Sequence, residues 1–225
     1  MEVARAVVEV HDIPLVSPYA RCVVAEGNPC TPSAVGEDLQ VSTSRPEAVL
    51  FDRDDTLIEN VPYNGDPALV LPVAGAREAL DAVRAAGLRT GVVTNQSAIG
   101  RGYITEADMQ AVNARVEELL GPFDTWQFCP HTPQDDCACR KPLPGMVLAA
   151  AAALGVDPGA CVLIGDTAGD MAAAHAAGAR GILVPGPATT EQARREAPAI
   201  SPDLGAAVRM ALHVAATHGA ATEAP

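Results

Sequence analysis

The chain has 225 residues, a length that suits one domain with additions or at most two small domains. Hydrophobic residues make up 48% and charged residues 19%, which predicts a packed core rather than a disordered chain. A net charge of −13 argues against nucleic-acid binding, which needs a basic face. No apolar run reaches the roughly 18 residues of a membrane span and no secretory signal is evident, so we expect a cytoplasmic protein without a membrane partner.

The hydrophobic pattern changes near residue 46. Residues 1–45 contain scattered prolines and no sustained period, and we predict there an N-terminal extension of uncertain order, with a short strand at 7–10 as one option. Short apolar runs then predict strands at 48–51, 90–94, 125–128, 161–164 and 181–184. Helical spacing and capping residues predict helices at 75–86, 105–120, 144–155, 169–177, 191–197 and 204–217.

This alternation of strands and helices predicts the architecture. Helices of ten or more residues between the strands are typical of an α/β fold, in which right-handed crossovers build a parallel sheet flanked by helices. We therefore expect the main domain at 46–200, followed by a C-terminal helix and tail at 201–225.

Polar side chains follow the first, second and fourth predicted strands at the point where each ends. They are Asp52 and Asp54, then the segment 94–97, then Asp166 and Thr167, with Asp170 close behind. Because the carboxyl ends of parallel strands meet at one edge of the sheet, these groups should converge. A single such Asp is commonly a turn or cap residue, but clustered carboxylates usually hold a cation, and an all-oxygen donor set suits Mg²⁺.

A second group of candidate ligands lies in the segment 129–139. It consists of Cys129 and His131, then Cys137 and Cys139, with five residues between the two pairs. Four nitrogen and sulfur ligands at this spacing can close the tetrahedral shell of a structural zinc ion, which in a reducing compartment is favoured over a disulfide. The only lysine of the chain, Lys141, follows two residues later and offers a compact positive charge for a phosphoryl group or a carboxylate.

Taken in order, these motifs resemble those of the haloacid dehalogenase superfamily of phosphatases. The motifs are Asp52-x-Asp54-x-Thr56, Thr94-Asn95 after an apolar strand, Lys141, and Gly165-Asp166-x-x-x-Asp170. The Cys/His segment with Arg140-Lys141-Pro142 is similar to subfamily IIIA, which includes heptose 1,7-bisphosphate 7-phosphatases and histidinol-phosphate phosphatases. The resemblance covers 48–184 and implies a Rossmann-like sheet, a minimal cap and a zinc-binding loop at 129–139.

The resemblance also implies a Mg²⁺-dependent phosphatase that acts through an aspartyl-phosphate. Asp52 would be the nucleophile, Asp54 the general acid and base, and Lys141 the stabiliser of the transferring phosphoryl group. Asp52, Asp54 and Asp166 would hold the Mg²⁺, and a monomer acting on a small phosphorylated sugar is expected. The implied substrate-binding residues are Asn60, Tyr63, Thr94, Asn95, Gln96, Ser97, Arg140 and Thr167.

Substrate identity is left open between sister activities. The segments 95–102 and 140–146 favour the heptose bisphosphatases, whereas the five-residue gap in the zinc loop favours the histidinol phosphatases. Asp55 stands where the family has Gly, and its charge would weaken phosphate binding if turned inward and be harmless if turned outward. We expect hydrolysis of heptose 1,7-bisphosphate to heptose 1-phosphate; the alternatives are histidinol-phosphate hydrolysis and a catalytically impaired phosphosugar-binding protein.

Overall fold

Five parallel strands form the sheet of this protein. The computed structural model describes the backbone of residues 45–216 and the side chains of residues 45–213. The strands are β1 (Ala48–Phe51), β2 (Arg89–Asn95), β3 (Thr125–Cys129), β4 (Cys161–Gly165) and β5 (Arg180–Leu183). The helices are α1 (Ala76–Ala85), α2 (Ser97–Gly100), α3 (Glu106–Leu120), α4 (Gly145–Leu154), α5 (Ala168–Ala176), α6 (Glu191–Glu196) and α7 (Leu204–Ala216).

The strand order places β1 at the centre of the sheet. The order is β3-β2-β1-β4-β5, and every neighbouring pair is parallel. The chain therefore adds β2 and β3 on one side of β1 and then β4 and β5 on the other side. In open parallel sheets, the crevice at such a reversal is where ligands bind, so the fold points to the carboxyl end of β1 as the position of a site.

Both faces of the sheet are buried, as continuous apolar strands require. Val49 and Phe51 of β1 pack into one core cluster with α1, α3 and α7, whereas Ala48 and Leu50 pack into a second cluster with α4 and α5. This division follows from the two-residue period of a strand, which sends successive side chains to opposite faces. The result is a rigid three-layer support for the loops that follow β1, β2 and β4.

Two helices begin with the same hydrogen-bonded cap. Thr105 and Asp108 form a reciprocal capping box at the start of α3, where the sequence predicted a helix to begin. Thr167 and Asp170 form another at the start of α5, which the sequence analysis did not predict. The second box matters for the site, because it fixes Asp170 directly behind the carboxyl end of β4.

The predicted fold class is confirmed. The predicted strands and helices of residues 45–216 are present with shifts of only a few residues at their ends, as is usual for element boundaries. The additional helix α2 is a single turn, too short for a hydrophobic period to indicate it. The option of a strand at 7–10, the extension 1–44 and the tail 217–225 lie outside the described residues.

The C-terminal helix shares the main core. Leu204, Ala207, Val208 and Ala211 of α7 are buried in the same cluster as α1 and α3, so the packing continues past residue 200. The division at 46–200 and 201–225 stays a prediction. Over the residues described here, no helix has the length and apolar character needed to cross a bilayer.

Candidate active site

A cavity of ≈ 360 Å³ opens beyond the carboxyl ends of β1, β2 and β4. The segments that line it are 52–55 after β1, the loop 60–64, and 94–98 at the carboxyl end of β2, together with Lys141, Asp166, Thr167 and Ala188. All the residues that the sequence predicted to be catalytic or to bind substrate line this cavity, with the exception of Arg140. The structure thus brings together groups as far apart in the chain as Asp52 and Thr167.

A buried lysine lies between two carboxylates at the floor of this cavity. The Lys141 Nζ atom is 2.9 Å from Asp52 Oδ1 and 2.5 Å from Asp170 Oδ1, and it donates a hydrogen bond to the Val93 carbonyl at 2.9 Å. Burial alone would lower the pKa of Lys141, but the charges of Asp170 and Asp52 raise it above its ordinary value. The ammonium group therefore stays charged and holds both carboxylates in place.

One lysine does not balance the carboxylates that meet here. Burial raises the pKa of Asp52 to about 7 against the opposing charge of Lys141, with the charges of Asp170 and Asp54 adding to the rise. Burial also raises the pKa of Asp166 to about 8, and the neighbouring charges of Asp52, Asp170 and Asp55 add to it. Such shifts arise where buried carboxylates lie close together, and they mark this cluster as a candidate functional site.

The oxygen atoms of this cluster fit a hard divalent cation. Asp52, Asp166 and Asp170 each offer an oxygen within 4.8 Å of the others. Both Asp170 oxygens already have partners, since Oδ1 contacts Lys141 and Oδ2 accepts from Thr167. Within residues 45–213, Oδ2 of Asp52 receives no hydrogen bond, because Oδ1 takes those of Lys141 and of the Arg53 backbone N–H. Asp52 and Asp166 are therefore the side chains best placed to hold such a cation.

Asp54 is held from two sides. The Arg53 guanidinium donates from Nε and Nη2 to the Asp54 carboxylate at 3.1 to 3.3 Å. The Gln96 amide donates to Asp54 Oδ2 at 2.9 Å and to Thr94 Oγ1, also at 2.9 Å. Because Thr94 Oγ1 accepts from Gln96, its own hydroxyl proton is left to donate to an anion in the cavity.

The side chain of Asn95 holds the backbone of Lys141. Its Oδ1 accepts from the Lys141 N–H at 3.1 Å, and its Nδ2 donates to the Lys141 carbonyl at 3.2 Å. This double hydrogen bond ties the end of β2 to the segment that carries Lys141. Asn95 therefore positions the lysine, and a direct contact of its side chain with substrate stays a prediction.

The rim of the cavity carries an aromatic pair. Tyr63 has a backbone φ of 56°, an uncommon value for an aromatic residue, and its ring packs edge-to-face on Tyr103 with centroids 4.9 Å apart. The Tyr63 side chain is 55% exposed and that of Tyr103 is 59% exposed. Two exposed aromatic rings beside a polar cavity offer an apolar wall for the non-phosphorylated part of a ligand. Asn60 and Ser97 lie on the same cavity lining.

Arg140 and Thr167 each use a side-chain polar atom for a contact within the protein. Arg140 Nη1 donates to the His131 carbonyl at 3.2 Å, so one edge of its guanidinium faces the Cys/His loop rather than the cavity. Thr167 lines the cavity, but its Oγ1 is 2.5 Å from Asp170 Oδ2 and caps α5. Their roles in substrate binding stay predictions.

The Cys/His cluster has the geometry of a metal site. Cys139 Sγ lies 3.0 Å from Cys129 Sγ and 3.2 Å from His131 Nδ1, and Cys129 Sγ lies 3.8 Å from Cys137 Sγ. A tetrahedral zinc site with bonds of about 2.3 Å to sulfur has ligand separations of up to about 3.8 Å. All four side chains offer ligand atoms within 4.8 Å of one another, and the three cysteines are free thiols, so the cluster could hold a zinc ion.

Comparison with known proteins agrees with this geometry. A family model described as HAD-hydrolase-like matches residues 138–208. The D-glycero-β-D-manno-heptose-1,7-bisphosphate 7-phosphatase of Pseudomonas putida is 37% identical over 146 residues, which cover 62% of this chain and 83% of that protein. The chain belongs to the haloacid dehalogenase-like phosphatases. The resemblance stated from the motifs is thereby confirmed, and so is the assignment as a phosphatase.

Two further relatives of this phosphatase family bear on the site. The enzyme of the same name from Pseudomonas aeruginosa is 39% identical over 118 residues, which cover 51% of this chain and 66% of that protein. A D,D-heptose 1,7-bisphosphate phosphatase from B. bronchiseptica, solved in complex with magnesium and phosphate, superposes with a TM-score of 0.66 and 28% identity. That match covers 74% of this chain and 98% of the solved one.

The sequence analysis gave no role to several residues of this phosphatase site. Asp170 was included in the acidic cluster and in the fourth motif, but its pairing with Lys141 was not predicted; the Thr167-x-x-Asp170 spacing of a capping box and the need of Lys141 for a second counter-charge could have indicated it. Arg53 and Asn113 are joined by a hydrogen bond of 2.8 Å across a separation of 60 residues, which no local pattern indicates. Tyr103 carried no sequence signal, because its contact with Tyr63 depends on how two loops fold together.

Proposed function

We propose that this phosphatase hydrolyses D-glycero-D-manno-heptose 1,7-bisphosphate at the 7-phosphate, with Mg²⁺ as its cofactor. The observation that carries the proposal is the pairing of Asp52 with the buried Lys141 at the floor of a cavity, with Asp54 on the same lining. A nucleophile, a fixed positive charge and a proton donor at one point are the parts that phosphoryl transfer through a carboxylate requires. The names of the matched relatives support the choice of sugar.

The reaction would take place in two steps. In the first, a carboxylate oxygen of Asp52 attacks phosphorus, the bond from phosphorus to the sugar oxygen breaks, and Asp54 gives its proton to that oxygen. In the second, water gives a proton to Asp54 and attacks phosphorus, which frees Asp52 and releases inorganic phosphate. Lys141 and the Thr94 hydroxyl would hold the phosphoryl oxygens through both steps.

The acidic cluster supplies the reason for a metal cofactor. Asp52, Asp166 and the Asp54 backbone carbonyl are the groups that we infer to hold Mg²⁺. Bound there, the ion would neutralise the repulsion between the carboxylates and a dianionic phosphate. The donor set of carboxylate and carbonyl oxygens suits Mg²⁺ rather than a softer metal.

The rim would select the sugar. Tyr63 and Asn60 line the cavity, and we infer that they contact the ring of a small phosphorylated sugar. Arg140 uses Nη1 for the His131 carbonyl, which leaves further N–H groups of a guanidinium for the second phosphate. A cavity of this size and openness suits a small molecule, and we expect the chain to act as a monomer, which light scattering of the purified protein tests.

The test is phosphate release from a panel of substrates with Mg²⁺. The panel contains both anomers of heptose 1,7-bisphosphate, fructose 1,6-bisphosphate, histidinol phosphate and p-nitrophenyl phosphate. We expect the highest kcat/KM with a heptose anomer, and a loss of at least roughly a thousandfold in Asp52→Asn.

The outcomes separate the alternatives. A higher kcat/KM with histidinol phosphate would contradict the heptose assignment and would agree with the five-residue gap between Cys129-Pro130-His131 and Cys137-Ala138-Cys139. No release from any ester by a folded, metal-loaded protein would contradict catalysis and favour a phosphosugar-binding protein.

A further inference from the structure

We propose that Asn113 is a positioning residue for the reaction, which acts by orienting Arg53 and, through Arg53, the carboxylate of Asp54. The inference rests on the proposed function, because it concerns the side chain assigned there as proton donor and acceptor. It assigns a role to a residue of α3 that lies outside the segments lining the cavity.

The first step of the argument is the burial of Arg53. This side chain is only 3% exposed, although arginine is rarely buried unless its charge is paired. Its Nε and Nη2 atoms hold Asp54 at 3.1 to 3.3 Å, and its Nη1 atom donates to Asn113 Oδ1 at 2.8 Å. The shortest hydrogen bond of the guanidinium is therefore the one to Asn113.

The second step is the planarity of the guanidinium. All of its N–H groups lie in one rigid plane, so an acceptor on one edge fixes the direction in which the other edge points. Asn113 occupies one edge and Asp54 the other. The position of Asn113 thus sets the plane in which the Asp54 carboxylate is held.

The third step is the rigidity of the support. Asn113 lies in the middle of α3, between Met109, Val112 and Val116, whose side chains are fully buried. Its Nδ2 atom donates to Met109 Sδ at 3.0 Å, which leaves Oδ1 directed at Arg53. A helix packed into the core holds a group more precisely than the turn that carries Asp54 could alone.

Opposite Arg53, Gln96 donates to Asp54 Oδ2 at 2.9 Å. Without Asn113, Arg53 Nη1 would be a buried donor without a partner, and the guanidinium would turn toward the acceptors that remain. Asp54 would turn with it, away from the oxygen that it must protonate. The loss would therefore fall on proton transfer and not on the binding of phosphate.

The experiment uses two leaving groups. A sugar oxygen leaves as a strongly basic alkoxide unless Asp54 protonates it, whereas p-nitrophenolate is a stable anion and leaves without a proton. In Asn113→Ala, we expect kcat/KM for the sugar phosphate to fall roughly tenfold to a hundredfold, within the range of general acid catalysis, and kcat/KM for p-nitrophenyl phosphate to change less than about threefold.

Two further variants complete the design. Asn113→Asp keeps an acceptor oxygen for Arg53 and should restore most of the sugar-phosphate activity. Gln110→Ala removes an exposed side chain of the same helix, whose amide contacts only Glu106, and should leave both activities unchanged. Thermal melting of each variant establishes that the fold is intact.

Equal losses on both substrates in Asn113→Ala would overturn the proposal, because a structural defect affects both leaving groups alike. Unchanged kcat/KM on both would overturn it as well. The proposed function is decided separately, by the wild-type panel and Asp52→Asn. If another sugar phosphate proves to be the substrate, the loss of kcat/KM in Asn113→Ala is measured with that ester and compared with the loss on p-nitrophenyl phosphate.

Discussion

Asp55 adds a negative charge to the lining of the candidate active site. Its backbone φ of 59° lies in the left-handed region, which Asp tolerates better than most residues other than Gly and Asn. The side chain lines the cavity and accepts a hydrogen bond from Asn60 Nδ2 at 3.1 Å. Of the two orientations that the sequence left open, the structure shows the inward one.

We predict that Asp55→Asn improves substrate binding. The change removes a negative charge near a dianionic phosphate but keeps an oxygen for Asn60 and the tolerance for a left-handed backbone. A charge pair at a partly exposed site contributes about 1 kcal/mol, so KM should fall roughly fivefold with little change in kcat. Steady-state kinetics at saturating Mg²⁺ measure this effect.

Salt provides the control for this prediction. Because exposed charges are screened, the difference in KM between Asp55→Asn and the wild type should shrink as ionic strength rises. Asp55→Gly, which also removes the contact with Asn60, separates the effect of charge from that of the hydrogen bond. An equal KM for Asp55→Asn and the wild type at low salt would show that the Asp55 charge does not reach the phosphate.

At the residue scale, the sequence predicted the groups that follow strands but not those that position them. Asp52, Asp54 and Asp166 were found because the end of a parallel strand is a defined place in the fold. The contact of Arg53 with Asn113 depends on the packing of α3 against the loop after β1, and no spacing in the chain encodes it. The inward direction of Asp55 likewise required the structure.

The loop between β3 and α4 connects the Cys/His cluster with Lys141. It begins at Cys129, the last residue of β3, passes through Cys139, and continues directly into Arg140 and Lys141. A Cβ atom at Gly145, the first residue of α4, would overlap the Ala138 carbonyl, so the helix packs closely on the loop. Order in the Cys/His cluster therefore fixes the backbone from which Lys141 reaches Asp52.

We predict that the cluster binds one structural zinc ion and that Cys137→Ser reduces its content. Loss of one of four ligands weakens a tetrahedral site, and because metal binding is coupled to folding, the melting temperature should fall by several degrees. The kcat should fall as well, since Lys141 loses its fixed position. Elemental analysis of freshly purified protein and thermal melting measure these effects.

Cys161→Ala is the matched control for the zinc prediction. Cys161 is a free, buried thiol on β4 and takes no part in the cluster, so its removal should leave the zinc content unchanged. An absence of zinc in the wild-type protein with intact thiols would contradict the assignment, as would an unchanged zinc content in Cys137→Ser.

At the element scale, length decided what could be predicted. Strands β1 and β4 are continuous apolar runs ended by Asp52 and Asp166, and the long helices have regular spacing, so both could be read from the chain. Helix α2 has 4 residues and is placed by contacts: the Gly100 N–H donates to the Pro130 carbonyl at 3.0 Å. Such a turn has no period of its own and is fixed by its neighbours.

At the scale of the whole molecule, the acidic cluster links folding to pH and to metal. Burial raises the pKa of Asp52 to about 7 and that of Asp166 to about 8, whereas both are 3.8 in the unfolded chain. Between about pH 4 and pH 8, the folded state therefore binds more protons than the unfolded state. The contribution of the cluster to stability is therefore complete below about pH 4 and is lost as pH rises through 7 to 8.

We predict that, in Mg²⁺-free buffer, the free energy of unfolding falls as pH rises from 6 to about 8 and that the contribution of this cluster levels off between about 8 and 9. Each proton released on unfolding changes that free energy by up to about 1.4 kcal/mol per pH unit. Saturating Mg²⁺ should flatten the slope, because the cation binds the ionised carboxylates and replaces the protons. Stabilisation by Mg²⁺ should accordingly be larger at pH 9 than at pH 6. Denaturant unfolding without a chelator, so that the Cys/His cluster keeps its metal, measures both slopes.

Asp166→Asn distinguishes this cluster from the other acidic groups of the chain. The variant keeps the size of the side chain but can neither bind a proton nor carry the charge, so its Mg²⁺-free slope between pH 6 and 9 should be smaller than that of the wild type. Its stabilisation by Mg²⁺ should also be weaker at pH 9. If Asp166→Asn and the wild type had the same slope, the proton linkage would reside in other groups, and the raised pKa of Asp166 would have no part in it. A reduced slope together with a reduced Mg²⁺ effect would identify one set of oxygens that binds protons at low pH and the metal at high pH.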